Sequence, residues 1–174
     1  MSAKNKEEAM TKAYELAHEC EYVHHGCSQC VILALQDVFD LRDDGVFKAA
    51  SGVSGGIGQM HDTCGALLGA SLVLGQIYGR SRDEITVLEK LMDSMLPVGK
   101  LYKWFEKEYG GVRCREVRAK TLGVYWDTKV PWQREEALKA GLYDVCSDLA
   151  GSVARKAAEV LWDAIEERKK TAQA

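Results

Sequence analysis

Apolar side chains recur along this chain every three or four residues, the repeat of an α-helix that buries one face. Met10, Ala13, Tyr14, Ala17 and Cys20 follow that spacing, with Asn5 ahead of them as an N-cap. Val31, Leu35, Val38 and Phe39 mark a second helix running from Ser28 to Phe39. "LRDDG" reads as a turn, and Asp43 caps a short helix through Val53. Gly52 to Gly58 breaks that helix, and the next begins near Asp62 or Thr63 and ends around Gly79. Ser81 to Glu84 has capping-box spacing ahead of Ile85, Leu88, Leu91, Met92 and Met95. Pro97 is expected to kink or split the helix they begin, and Leu101, Tyr102 and Phe105 resume the pattern up to Gly110 and Gly111. A short helix from Arg113 to near Leu122 leads into the irregular "GVYWDTKVPW". A last helix starts near Asp144 and carries Leu149, Val153, Val160, Leu161 and Ile165.

No alternating strand pattern, internal repeat or low-complexity segment interrupts this series. The expectation is an all-α fold, an irregular bundle of about six or seven helices forming a single domain. Within it an N-terminal helix over 1–25 precedes a four-cysteine helical unit over 26–174, the two making one globular unit. The 174 residues suffice to bury a sizeable core.

Charge and composition narrow the function classes. A net charge of -3 gives no electrostatic footprint for nucleic acid. The most apolar run, Ala66 to Gly75, is roughly half the ~20 residues that a bilayer requires, so no membrane span is expected. The charged opening "MSAKNKEEAMTKAY" lacks an apolar signal segment, which makes the cytoplasm the expected location. There, six cysteines suggest metal binding or redox chemistry more than a structural disulfide framework.

The glycine-rich approach to Cys64 is not a phosphate cradle. "SGGIGQMH" lacks the third glycine of the dinucleotide fingerprint and follows no strand, and no Gly-Lys-Ser/Thr is present. Gly65 and Gly69, Ala66 and Ala70, then Gly75 and Gly79 form a small-residue stripe that lets helix backbones approach closely. Close packing accounts for Gly69, Gly75 and Gly79 but not for Cys64. With Asp62 or Thr63 as N-cap, Cys64 falls in a first helical turn, where free N–H groups and the helix dipole favour a thiolate. Glycine beside it leaves room for something bulky at the sulfur. Cys27 after Gly26, Cys114 after Gly110-Gly111 and Cys146 after Asp144 repeat that helix-start placement. Cys20 reads as a small buried hydrophobe. Cys30 completes Cys27-Ser-Gln-Cys30, a thioredoxin-type spacing without the strand context, and reads as buried, with a resolving thiol as the alternative. His61 is the histidine placed to act as a ligand or as a donor to a cofactor sulfur. A zinc site mixing His24, His25 or His61 with thiolates matches no familiar finger spacing.

"GCSQ" at Gly26 with "VILALQ" behind it, "ASGVSGGIGQMHDTCGALLGA", "CREV" at Cys114 and the lone Cys146 together resemble the C-GCAxxG-C-C family of putative redox-active proteins. The likeness runs from Gly26 to the final helix, with one departure: Gly65 follows Cys64, whereas the family name puts glycine before cysteine. The resemblance implies a helical protein whose Cys27, Cys64, Cys114 and Cys146 form a redox or cluster-binding site, with Cys20 and Cys30 additional to it. A related domain in cytochromes with a split Soret band, where an iron–sulfur centre has been suggested, points the same way.

Three functions then compete. The first is electron transfer through an iron–sulfur cluster, [2Fe–2S] by preference, with the four cysteines as ligands and Gly65 and His61 at the cofactor. The second is metal-free thiol–disulfide chemistry with Cys64 as attacker. The third is a structural zinc site, which the same four thiolates would satisfy, or a metal-free helical interaction protein. No acid–base or nucleophile–base constellation suggests turnover of a small substrate, so whether the chain is an enzyme is left open. The expected partner is a redox protein, and a homodimer is left open.

Overall fold

The carboxamide of Asn5 accepts the Glu8 amide at 2.9 Å and starts α1, Lys6–His24, in the computed structural model, which describes residues 3–172. The buried stripe of α1 is made of Ala9, Ala13 and Ala17. Such small side chains let α1 lie tightly along α8, Leu142–Ala172, where Gly151 sits against the Tyr14 ring and carbonyl. The inner side of α8 is alanine-rich as well, with Ala150, Ala154, Ala157 and Ala158 fully buried. The small residues that bring these two helices together lie on α1 and α8, away from the glycine stripe that drew attention in the sequence.

Between them pack α2, Cys27–Phe39, and α4, Gly65–Tyr78. Gly69 of α4 meets the backbone of Ser28 so closely that a Cβ there would collide with it, which bears out the packing role expected of Gly69. Gly75 faces open space instead and packs against nothing. The Asp43 carboxylate accepts the amides of Gly45 and Val46 and caps α3, Asp44–Ala49, which continues as a 3-10 turn through Val53. Ile32, Leu35, Leu74, Leu101, Phe105 and Leu161 fill the fully buried centre.

Helix α5, Leu88–Tyr109, runs through Pro97 without being split. The capping box at Ser81 and Glu84 heads only a single 3-10 turn, and α5 starts after it. Ile85, Leu88, Met92 and Met95, which look like an inward face, are about half exposed or more, because only Leu101 and Phe105 carry the burial of α5. Gly110 closes α5 in the left-handed conformation, and α6, Cys114–Leu122, follows.

Among the described residues the fold is all-α with eight helices, so the count exceeds the expected six or seven by one or two. The addition is α7, Pro131–Lys139, which takes over the end of "GVYWDTKVPW" with Pro131 in its first turn. Its only buried residue is Ala137, so it carries no apolar stripe for a periodicity to reveal. An isolated bridge between Thr63 and Arg113 is the nearest approach to a strand among the described residues. Among those residues no helix is long and apolar enough to cross a membrane.

Candidate functional site

The glycine-rich segment before Cys64 is a left-handed turn. Gly55, Gly56, Ile57, Gly58, Gln59 and His61 all have φ between 57° and 73°. Ile57 and Gln59 adopt that region at a cost of roughly 1–2 kcal/mol each, so something else must hold the turn. The hydrogen bonds from Gly58 to Gly52 (2.9 Å), His61 to Gly55 (3.1 Å) and Asp62 to Gly56 (3.1 Å) do so. Gly56 also cannot carry a side chain, since a Cβ would lie 2.6 Å from the Asp62 carbonyl.

This turn delivers Cys64 to the N-cap of α4 rather than into its first turn. Asp62, expected as a cap, instead lies between the Arg113 and Arg115 side chains at 3.6 and 3.9 Å. Backbone bonds then stitch the turn to the start of α6: Cys64 N–H to the Val112 carbonyl at 2.8 Å, and Cys114 N–H to the Asp62 carbonyl at 2.6 Å. Two cysteines 50 positions apart in the chain are thereby fixed side by side. Cys27, the first residue of α2, reaches the same place, because a Cβ on Gly65 would sit 2.5 Å from its sulfur. The Gly55 amide points at that sulfur too. Cys146 approaches from α8, where it is the fifth residue and lies in the second turn rather than the first. The helix begins earlier than Asp144 because Gly141, with φ of 85°, supplies the turn that Asp144 was expected to cap.

The four thiols sense one another. Cys27 and Cys114 each disfavour ionisation of Cys64 and of Cys146. Burial is the largest influence on all four, pushing Cys27 up to about 12 and Cys64, Cys114 and Cys146 well above or above the ordinary thiol range. At Cys64 the helix-start amides of Ala66 and Leu67 do act in the expected direction, but burial outweighs them. The expected low-pKa attacker is therefore a neutral thiol.

Two ionisable side chains complete the site, and the sequence reading passed over both. Glu21 of α1 is 6% exposed, its Oε2 lacks a hydrogen-bond partner, and burial raises its pKa to about 8. Arg118 of α6 is 5% exposed; it interacts with the Cys114 sulfur while Nε and Nη2 have no partner. The signals were present in the sequence: Glu21 continues the Ala9, Ala13, Ala17 stripe, and Arg118 stands one turn after Cys114.

His61 is buried, with both ring nitrogens engaged by the Tyr125 hydroxyl and, at 3.0 Å, the Thr128 hydroxyl. In this structure the imidazole anchors the loop before α7 and presents no free nitrogen to a sulfur. Of the other histidines, His25 stacks on Tyr143 and His18 lies against Asp148. Cys20 is not a free buried hydrophobe, nor is Cys30 a free thiol, because the two form a disulfide with their Cα atoms 5.3 Å apart. Their helices run side by side, and the half-turn at His25 and Gly26 brings the sulfurs together.

The donor set discriminates between groups it might hold. Among the described residues no three His, Cys, Asp or Glu side chains are grouped as they would be around a single metal ion. A [2Fe–2S] unit requires only two thiolates at each iron, and the unpartnered Arg118 N–H groups suit its negative charge. Four converging cysteines, one buried and three half-buried, and a buried guanidinium with two unpartnered nitrogens fit such a group.

A family profile described as "Putative redox-active protein (C_GCAxxG_C_C)" matches residues 25–160. No curated protein and no solved structure matches the chain. The profile spans most of the sequence, and all four converging cysteines lie inside it: the chain belongs to the C_GCAxxG_C_C redox-active family.

Proposed function

We propose that Cys27, Cys64, Cys114 and Cys146 together hold an iron–sulfur cluster, of the [2Fe–2S] type, and that the protein transfers electrons through it. The observation that carries the reading is Arg118, a buried guanidinium beside the Cys114 sulfur with two unpartnered nitrogens, at a site where Cys64 is buried and Cys27, Cys114 and Cys146 are half-buried. An uncompensated buried cation is costly, and an anionic tetrathiolate unit is the charge its surroundings lack. When bound, the cluster supplies one-electron chemistry. The chain provides the rest. Its four cysteines come from four separate elements and give up their protons on binding, which the raised pKa values otherwise oppose. Arg118 donates toward the Cys114 sulfur and the Gly55 amide toward the Cys27 sulfur. Metal-free thiol exchange at Cys64 fits less well, because its thiol is buried and held neutral.

Anaerobic reconstitution with ferrous iron and sulfide tests the reading. Wild type is expected to develop visible sulfur-to-iron absorption that each of the four Cys→Ser variants loses or alters. Arg118→Gln is expected to keep the cluster but lower its reduction potential, since a nearby cation favours the more negative reduced form. Unchanged spectra in all four serine variants would refute the assignment.

A further inference from the structure

The disulfide between Cys20 and Cys30 is outside the four-cysteine site, and its cross-link stabilises less than one closing a long loop would. It closes a separation of only 10 residues between helices that already pack along each other, and a short loop is where a cross-link stabilises least. The two cysteines differ in exposure. Cys30 is 1% exposed, whereas Cys20 of α1 is half-buried. One turn further along α1, Val23 is 58% exposed, and the neighbouring Tyr22 is 52% exposed. A half-buried cysteine beside uncharged apolar side chains, backed by a buried one, is the arrangement that dithiol–disulfide exchange with another protein uses. The reduced Cys30 thiol would also have an acceptor in place, the His25 carbonyl 3.5 Å from its sulfur.

We propose that Cys20 and Cys30 are a second redox centre, a dithiol–disulfide couple that reduces disulfide bonds of a partner protein, with Cys20 as attacker and Cys30 as resolver. In the reduced protein the Cys20 sulfur attacks the partner disulfide; a Cys20–partner bond forms and the partner's other sulfur leaves with one proton. Cys30 then attacks Cys20, re-forms the Cys20–Cys30 bond and releases the second partner thiol with the second proton. The partner gains two electrons and two protons, and the chain loses them. A dithiol donor restores the reduced form by the same exchange in reverse. The Cys30 sulfur is one helical turn from Cys27, so this couple borders the four-cysteine site without sharing a residue with it.

Native full-length protein, titrated with dithiothreitol at graded ratios of its reduced and oxidised forms and trapped with a maleimide, tests the first requirement. The two thiols are expected to appear together as one two-electron step while the far-UV circular dichroism stays constant. With insulin as the probe disulfide and dithiothreitol as donor, wild type should reduce insulin severalfold faster than dithiothreitol alone. Cys20→Ser should lose that acceleration, and Cys30→Ser should accumulate a mixed disulfide between Cys20 and insulin. Cys20→Ser should still take up iron and sulfide, so failure here and failure of the cluster reading are separable. The proposal is overturned if the bond opens only when the helices unfold, or if insulin reduction is no faster than with dithiothreitol alone.

Discussion

Gly65 carries no left-handed backbone strain, yet it is tightly constrained. A Cβ there would meet the Cys27 sulfur at 2.5 Å, the Val53 carbonyl at 3.1 Å and the Ser54 Cα at 3.3 Å. Two of those neighbours are backbone and cannot swing away. Judged from helix propensity alone, Gly65→Ala stabilises by about 0.5–1 kcal/mol; the packing reverses that sign, and a loss of roughly 1–3 kcal/mol is expected. Gly75 is the control. It lies in the same helix with open space around it, so Gly75→Ala should gain about 0.5–1 kcal/mol. Chemical denaturation of both variants checks the pair, and equal effects of the same sign would show that propensity rather than the sulfur sets the constraint. The space that Gly65 leaves is taken by the Cys27 sulfur and by the Val53 and Ser54 backbone rather than left open.

The left-handed turn, α6 and the loop before α7 behave as one element, tied together by His61. Its ring joins Tyr125 and Thr128, and its carbonyl accepts from the Arg115 amide at 3.1 Å. Burial, and then the Arg118 charge, lower the His61 pKa below the ordinary value of 6.5. The unfolded chain therefore binds the proton first. The His61 contribution to stability is complete above about pH 6.5 and falls away as the pH drops below it, by at most about 1.4 kcal/mol per unit. Glu21, whose pKa burial raises to about 8, contributes in the opposite sense over the same range, adding stability as the pH falls, so the His61 contribution is read as the difference between wild type and His61→Gln. Denaturant midpoints from pH 7.5 down to 5.5 should show wild type losing stability relative to His61→Gln as the pH drops, and a difference that stays constant over this range would contradict the assignment. Elements were legible in the sequence where their own residues encode them: the Asn5 and Asp43 caps, the start of α2 at Gly26 and the glycine stop at Gly110. They were illegible where the pattern is satisfied elsewhere. Half-exposed Leu88, Met92 and Met95 mimic a core face, and α7 has almost no core face to display.

Across the whole molecule, the bundle places the ends of five elements at one buried site: α1 through Glu21, α2 through Cys27, the turn before α4 through Cys64, α6 through Cys114 and α8 through Cys146. The choice of cysteines could be read from their recurrence near helix starts. Glu21 and Arg118 could not, because a single glutamate on an alanine stripe and a single arginine on a polar helix acquire meaning only when the helices are assembled. The disulfide was hidden for a similar reason, since Cys20 and Cys30 belong to different helices whose antiparallel packing no local spacing displays. The central claim, that these four cysteines bind iron and sulfide as one cluster, is tested most directly by iron and acid-labile sulfide analysis of the full chain, prepared and reconstituted without oxygen. The account predicts iron and sulfide in equal amounts, both lost in Cys64→Ser with the helical circular dichroism intact. Wild-type protein that retains neither iron nor sulfide would contradict it.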